Sequence, residues 1–292
     1  MGVKNMKTQL IDWLPTKRTC NCKPNAINCL NRKEWFQNQM PIWTVSTKDA
    51  DSGYDKKYRK EHPATYPTAL AKRVIECYSH KGETVLDVFN GIGSTLGAAN
   101  MCGRNGIGIE INPKYVEITK DRLEHKTLNT SNQIVIQDDS RNLLNYIPKE
   151  SIDLQFTSPP YWDMLKQKPS ARNARAKQYL KENYSDDPND LSNAKTLEEF
   201  LASIKSIFSK VFIVLKKGKR CIINTGDYRR KGVFIPLHIH YIELMEDLGF
   251  ILNNIILWDR QNEYQSGLFG YPSSFIVNNG MCEYLLEFQK PI

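Results

Sequence analysis

The residues best suited to chemistry are Thr157-Ser158-Pro159-Pro160-Tyr161-Trp162, which follow a short apolar run that predicts a buried strand. Two consecutive prolines donate no backbone hydrogen bonds, so the strand must end there. The resulting turn is stiff, and it presents one hydroxyl, carbonyl groups without local N–H partners, and two aromatic rings. A rigid acceptor beside a flat ring suits a planar group that carries an amine. A purely structural turn is the alternative interpretation.

A second candidate site is a glycine turn between a predicted strand and a predicted helix. The strand covers 84–89, Asn90-Gly91-Ile92-Gly93 follows, and a run of small residues begins at Ser94. Glycines let the backbone approach a ligand closely, and the free N–H groups at a helix start favour anionic or polar groups. The next predicted strand ends about twenty residues later at Glu110, a spacing used to hold ribose hydroxyl groups. A nicotinamide dehydrogenase could share these features.

Two further segments could complete a nucleotide site. A third predicted strand, over 133–137, ends at Asp138-Asp139-Ser140, where an acid can accept a hydrogen bond from an adenine amine. Asp139 or Ser140 could equally cap the next helix, and the two roles are compatible. Upstream, His62-Pro63-Ala64-Thr65-Tyr66-Pro67 is a rigid extended segment that leads into a predicted helix.

The order of the elements predicts how these segments meet. Strands alternate with helices, so we expect one mostly parallel sheet covered on both faces. Ligands of such sheets bind beyond the carboxyl ends of the strands, where the glycine and proline turns would lie. The second half predicts a helix over 196–215, a strand over 220–224, a basic loop over 225–231, a helix over 236–248, and strands over 251–258 and 283–288.

Charge and periodicity divide the chain. Residues 1–60 lack sustained periodicity and predict a basic N-terminal arm, whereas 61–292 hold the predicted domain, interrupted by a polar insertion over 163–195. The chain carries a net charge of +8 and its pI is about 9.0. The excess is concentrated in 1–60, 163–181 and 216–232, which is the pattern of polyanion binding. A merely soluble basic face is the alternative.

Seven cysteines, an odd number, favour a reducing compartment, and the sequence shows neither an apolar signal region nor a membrane-length apolar run. We therefore expect a cytoplasmic protein without membrane contact. Cys20-x-Cys22 with Cys29 invites a zinc interpretation. Because no fourth ligand follows at a familiar spacing, the sequence predicts no metal site and favours reduced cysteines in an irregular arm.

From about residue 62 onward, these motifs together resemble those of the DNA amino-methyltransferases, bacterial enzymes that methylate exocyclic amines. The stretch from Asp87 to Gly93 is similar to their S-adenosylmethionine motif, and Ser158 to Tyr161 to their catalytic motif. Asn90 departs from the small residue or Cys that is frequent there. The resemblance implies that the cofactor is held by His62, Ala64, Thr65, Asp87, Phe89, Asn90, Gly91, Gly93, Ser94, Thr95, Glu110 and Asp139. It implies that catalysis depends on Ser158, Pro159, Pro160 and Tyr161.

The resemblance also implies a fold and a reaction. The fold is the α/β, Rossmann-like class I methyltransferase fold, with seven mostly parallel strands of which the last is antiparallel. Ser158, where the adenine-modifying branch usually has an acid, favours transfer from S-adenosylmethionine to the N4 amine of cytosine. N6-adenine remains an alternative, as do RNA or protein-glutamine methylation and a binding module without catalysis.

Double-stranded DNA is the implied partner, and its target base must leave the helix to reach the cofactor. Such an enzyme would act on nucleoid DNA within a restriction–modification system, and a cognate restriction endonuclease could accompany it. The sequence leaves the oligomeric state open. The residues expected to contact DNA phosphates are Lys166, Lys168, Arg172, Arg175, Lys177, Arg229, Arg230 and Lys231.

Overall fold

In the computed structural model of the protein, the described residues are 10–45, 57–58, 61–62, 65–124, 131–162, 187, 189–260, 277 and 279–292. The predictions for Ala64, for most of the 163–195 insertion and for the five of its basic residues that were expected to contact DNA lie outside these ranges. The basic residues concerned are Lys166, Lys168, Arg172, Arg175 and Lys177.

Helices and strands alternate as the sequence predicts. The α-helices within the described ranges are Arg32–Gln37 (α1), Thr68–Tyr78 (α2), Ser94–Met101 (α3), Pro113–Glu124 (α4), Leu197–Val214 (α5) and Leu237–Asp247 (α6). The strands are Ile42–Thr44 (β1), Thr84–Asp87 (β2), Asn105–Glu110 (β3), Gln133–Gln137 (β4), Ile152–Thr157 (β5), Leu215–Thr225 (β6), Tyr228–Arg230 (β7), Val233–Ile235 (β8), Ile251–Asp259 (β9) and Cys282–Gln289 (β10). A 3-10 helix, Ser140–Asn145, follows β4.

One sheet organises the molecule, with the strand order β1-β9-β10-β6-β5-β2-β3-β4. The strands from β4 through β3, β2 and β5 to β6 are parallel, and β10 inserts antiparallel between β6 and β9. Without β1, this is a seven-stranded sheet whose last strand is antiparallel. The predicted class I methyltransferase fold is therefore confirmed.

Side chains that alternate along each strand fill two apolar cores. Leu86 of β2 and Ile223 of β6 belong to a core that includes Phe208 of α5. Their chain neighbours Val85 and Ile222 belong to a second core that contains residues of α2 and α3. Because successive strand residues point to opposite faces, both faces of the sheet are covered, as expected of a largely parallel sheet.

The sequence did not predict β1. Its three residues pair parallel with the end of β9, where Trp43 lies opposite Trp258, and Trp43 is only 1% exposed. The arm predicted over 1–60 thus contributes an edge strand to the sheet. Three residues in an aperiodic segment give no readable strand pattern, so only the long-range pairing with β9 reveals this element.

The basic loop predicted over 225–231 is wrong. Tyr228–Arg230 and Val233–Ile235 form a separate antiparallel hairpin, with Arg230 opposite Val233. The two intervening residues, Lys231 and Gly232, have φ values of +48° and +85°. Two consecutive left-handed residues make the tight turn that suits a hairpin, but Lys-Gly is a weaker signal for it than Asn-Gly.

A cluster of potential metal ligands near the amino end of β2 was not predicted from the sequence. Cys20, Cys22, Cys29 and His80 present four potential metal ligands within 4.8 Å of one another. The prediction of no metal site depended on the lack of a fourth ligand at a familiar spacing, and the structure places His80 as a candidate fourth ligand from a distant part of the sequence. His80 is separated from Cys29 by α1, β1 and α2, so sequence spacing could not connect them.

Among the described residues, none of the helices combines the length and the apolar character needed to cross a lipid bilayer.

Candidate active site

A cavity of about 900 Å³ opens at the carboxyl ends of the parallel strands. Gly91 of the glycine turn and Ser158 of the proline turn both line it. The predicted residues that reach it are His62, Thr65, Phe89, Asn90, Gly91, Ser94, Glu110, Asp139, Ser158, Pro159, Pro160, Tyr161 and Arg229. The sheet therefore brings two motifs that lie far apart in the sequence to one cavity.

The glycine turn depends on backbone conformations that only glycine adopts easily. Gly91 and Gly93 have φ values of +52° and +80°. A Cβ atom on Gly91 would lie 3.3 Å from Nε2 of His62, and one on Gly93 would lie 2.7 Å from Cγ2 of Thr119. The turn therefore combines left-handed geometry with close packing, and His62 lies over its first glycine.

Glu110 ends β3 directly beside this turn. Its carboxylate accepts hydrogen bonds from the backbone N–H groups of Gly91, at 2.7 Å, and of Asn112, at 2.9 Å. Burial nevertheless raises the pKa of Glu110 to about 8, against the opposing effect of these two hydrogen bonds. A buried acid that fixes the glycine turn and faces the cavity is well placed to bind hydroxyl groups of a ligand.

Asp87, predicted to bind the cofactor, does not line the cavity. It is fully buried and accepts hydrogen bonds from the hydroxyls of Thr157, at 2.5 Å, Thr95, at 2.6 Å, and Tyr66, at 3.0 Å. Burial raises the pKa of Asp87. Asp87 therefore joins the end of β5, the start of α3 and the segment before α2 from behind the cavity wall. Gly93 and Thr95 also lie outside the lining.

Asp139 lines the cavity and also caps the 3-10 helix that follows it. Its carboxylate accepts a hydrogen bond from the backbone N–H of Arg141 at 2.8 Å and pairs with the guanidinium of the same residue at 2.5 Å. The capping role is confirmed. A contact with an adenine amine stays a prediction, and it would have to share the carboxylate with Arg141.

The proline turn is held by a carboxylate from the far end of the chain. Glu283 of β10 accepts hydrogen bonds from the Tyr161 hydroxyl at 3.0 Å and from Nδ2 of Asn224 at 2.7 Å, and it pairs with Arg260. The same Asn224 nitrogen lies 3.5 Å from Oγ of Ser158. This network connects both functional side chains of the turn to β6 and β10.

Two observations define what this network offers a ligand. Oδ1 of Asn224 is buried and has no hydrogen-bond partner among the residues that the structure describes. Asn224, Arg260 and Glu283 all line the cavity. Asn224 lies at the end of the strand predicted over 220–224, whereas Arg260 and Glu283 gave no signal of a role in the site, because their role follows from strand pairing alone.

Trp162, the second aromatic residue of the proline turn, does not line the cavity. The residue has a φ of +45°, its ring is 3% exposed, and its indole N–H donates to the carbonyl of Ala194 at 3.0 Å. The Arg230 guanidinium lies over the ring, 4.4 Å from its centre. Trp162 therefore anchors the chain where it leaves the proline turn.

The basic residues of the β7–β8 hairpin lie near the cavity mouth in different surroundings. Arg229 lines the cavity, is exposed, and donates to the Gly232 carbonyl at 3.2 Å. Lys231 is exposed at the hairpin turn, whereas Arg230 packs on Trp162. DNA contact by these three residues stays a prediction, and the structure favours Arg229 and Lys231 for it.

A family model described as DNA methylase matches residues 6–121 and 152–291, which is most of the chain. A Type II methyltransferase from Methanothermobacter thermautotrophicus is 39% identical over 106 residues, covering 36% of this chain and 28% of that protein. A Type II methyltransferase from Haemophilus parainfluenzae is 44% identical over 71 residues, covering 24% of this chain and 23% of that protein. The chain thus aligns with only about a quarter of the length of these two relatives.

Among solved structures, a SAM-dependent methyltransferase from Methanosarcina mazei is 14% identical with a TM-score of 0.48, covering 78% of this chain and 99% of that one. At this TM-score the likeness is partial. The family model, in contrast, spans both the glycine turn and the proline turn that share the cavity. The chain therefore belongs to the family of N6/N4 DNA methylases.

Proposed function

We propose that this protein methylates DNA, transferring a methyl group from S-adenosylmethionine to the exocyclic N4 amine of cytosine in double-stranded DNA. One observation carries the proposal: the glycine turn and the Ser158–Tyr161 turn line the same cavity. A donor site and an amine-binding turn must lie together for direct transfer, because the reacting atoms have to be in contact.

The residues at the glycine turn fit an adenosyl cofactor. Gly91 is left-handed and lies close beneath His62, with little room for a side chain, and Glu110 presents a buried carboxylate at the end of β3. We assign the ribose hydroxyls to Glu110 and the adenine amine to Asp139. Thr65 and Ser94, whose hydroxyls lie 3.2 Å apart, would bind the amino-acid part of the cofactor. When bound, this cofactor supplies an electrophilic methyl group.

The proline turn supplies the groups that act on the amine. The lone pair of an exocyclic cytosine amine is delocalised into the ring, so acceptors on its two hydrogens must localise the electron pair as charge develops. We assign these acceptors to the Ser158 hydroxyl and the Pro159 carbonyl. Tyr161 stacks on the base, with its hydroxyl held by Glu283 and its ring packed on Gly226. Oδ1 of Asn224 offers a further acceptor at this end of the cavity.

The target base must be rotated out of the duplex to enter the cavity. Arg229 and Lys231 on the hairpin, together with the basic residues of the insertion, would hold the phosphates of the flanking backbone. Segments around the mouth of the cavity would then recognise the DNA sequence.

Cytosine is favoured over adenine because position 158 is a serine. An aspartate there would present two acceptor oxygens and a negative charge to the amine, whereas the serine hydroxyl is neutral. N6-adenine is the competing target, and the product nucleoside separates the two. The relatives described as Type II methyltransferases support a place in a restriction–modification system.

Substitution of the proline turn tests the proposal. Ser158→Ala should reduce transfer of labelled methyl groups to DNA by at least about 100-fold, the range lost with one transition-state hydrogen bond. Tyr161→Ala should reduce it by about 10- to 100-fold, the range lost with one stacking contact on a base. Cofactor affinity, measured by calorimetry, should stay within a few-fold of wild type. Ser209→Ala, on the half-buried face of α5 and away from the cavity lining, is the control and should retain full activity. Full activity in both turn variants would refute the assignment.

A further inference from the structure

We propose that Cys20, Cys22, Cys29 and His80 form a structural zinc site that fastens the N-terminal segment to the amino end of the central strand β2. All three cysteines are free thiols, and the four potential ligand atoms lie within 4.8 Å of one another. Three sulfurs and one imidazole nitrogen are a ligand set that zinc prefers in closed structural sites.

The distances fit a tetrahedral ion. Nδ1 of His80 lies 3.3 Å from Sγ of Cys20 and 3.5 Å from Sγ of Cys29. With Zn–S bonds of about 2.3 Å and a Zn–N bond of about 2.0–2.1 Å, tetrahedral geometry separates sulfur from nitrogen by about 3.6 Å. These two nitrogen–sulfur distances are therefore within a few tenths of an ångström of the spacing that an ion would impose, and all four ligand atoms lie within 4.8 Å of one another.

The second ring nitrogen of His80 prepares the first for metal binding. Nε2 lies 2.8 Å from the backbone carbonyl of Ala26, and a carbonyl can only accept, so Nε2 carries the hydrogen. Nδ1 then has a free lone pair, directed at the two sulfurs. A histidine that donates its other N–H to a backbone carbonyl is the usual arrangement behind a metal-bound imidazole.

The backbone also supports a thiolate at this place. The N–H of Lys81 points to Sγ of Cys29 at 3.4 Å, and such hydrogen bonds stabilise negatively charged sulfur. His80 is fully buried, whereas the three cysteines are half-buried. The cluster is thus anchored on the domain side and accessible to an ion from the solvent side.

The segment that carries the cysteines has little else to hold it. Residues 16–30 form no helix or strand, and the single buried residue among them is Asn28. Their attachment to the domain is mostly polar: the Thr19 N–H donates to the Lys81 carbonyl at 2.9 Å, and Arg18 pairs with Glu83 at 3.0 Å, while Leu30 packs against the second apolar core. A loop without an apolar core needs a cross-link to stay ordered, and a metal ion supplies one.

The position of the site indicates a structural role. His80 precedes β2, whereas the glycine turn follows it, so the length of the strand, about 13 Å for four residues, separates the two. Four protein ligands also leave no open coordination position for a substrate. The ion would therefore stabilise the fold without touching the reacting groups.

Metal analysis of untagged, full-length protein tests the proposal. Inductively coupled plasma mass spectrometry should find about one zinc per chain in wild type and in Cys102→Ala, which removes a buried cysteine outside the cluster. Cys20→Ser, Cys29→Ser and His80→Ala should each lose the ion and melt at a lower temperature. Cobalt(II) added to metal-free protein should give the visible absorption of tetrahedral thiolate coordination, and zinc should abolish it.

The absence of zinc from wild type, together with no cobalt spectrum, would overturn the proposal. Zinc retained in the cysteine variants would also overturn it, as would a disulfide within the cluster of protein purified under reducing conditions. If the variants fail to fold, the cobalt spectrum of wild type still decides the matter. Because this site lies apart from the cavity, its outcome is independent of the methylation assay.

Discussion

At the scale of single residues, the active site depends on carboxylates that orient other groups. Glu283 holds Tyr161 and Asn224, Glu110 holds the N–H of Gly91, and Asp87 gathers three hydroxyl groups behind the cavity wall. Each lies in a buried place where an unpaired charge would be unfavourable, and each is supplied with hydrogen-bond donors. Tyr161, Asn224 and the glycine turn are therefore held in place by contacts within the protein itself.

The raised pKa of Glu110 predicts a pH-dependent stability. Its pKa rises from about 4.5 in an ordinary environment to about 8 in the fold. Between these values the unfolded chain releases the proton while the folded chain keeps it, so increasing pH disfavours folding by up to about 1.4 kcal/mol per pH unit. Glu110→Gln removes this contribution. In denaturant titrations of the cofactor-free protein, the free energy of unfolding should fall less between about pH 6 and about pH 8 in the variant than in wild type. The same pH dependence in both proteins would contradict the assignment.

A matched pair of glycines separates backbone strain from packing. Gly93→Ala and Gly103→Ala both place alanine at a positive φ, +80° and +68°, which costs about 1–2 kcal/mol. Only at Gly93 would the new Cβ collide with Thr119, adding about 1–3 kcal/mol. Gly93→Ala should therefore lower the free energy of unfolding by the larger amount in urea titrations. Equal losses would show that Thr119 moves aside freely.

At the scale of elements, β1 makes the N-terminal segment part of the sheet. Trp43 is 1% exposed and its ring lies under the Arg73 guanidinium, 4.2 Å away. Trp43→Ala should therefore lower the free energy of unfolding by about 3–5 kcal/mol. Trp35→Ala, where the ring is 40% exposed on α1, should change it by less than about 0.5 kcal/mol. Urea denaturation compares the two, and a neutral Trp43→Ala would mean that the segment is separable.

Local patterns predicted the elements that carry the cavity, and long-range contacts supplied what was missed. The strand-turn-helix around Gly91 and the strand ending before Ser158 are readable because turn and apolar residues lie side by side in the sequence. Glu283 lies more than a hundred residues from Tyr161, and His80 about fifty from Cys29. Such partners meet only through strand order and packing, which no local pattern encodes.

At the scale of the whole molecule, the hairpin predicts how DNA binding responds to salt. If Arg229 contacts a phosphate, Arg229→Gln should weaken binding to all DNA sequences alike and reduce the slope of log affinity against log salt by about 1. Lys217→Gln is the control, because this exposed residue lies near the amino end of β6, at the end of the strand opposite the cavity. Fluorescence anisotropy across a salt series measures both. An unchanged slope for Arg229→Gln would remove the hairpin from the DNA-binding surface.

The most direct test of the account is to identify the nucleoside that the protein modifies. Purified protein and isotope-labelled S-adenosylmethionine are incubated with unmethylated double-stranded DNA, which is then digested and analysed by mass spectrometry. A parallel reaction with Ser158→Ala controls for contaminating methyltransferases. The account predicts labelled N4-methylcytosine that is lost in the variant. Labelled N6-methyladenine instead, or equal labelling by the variant, would contradict it.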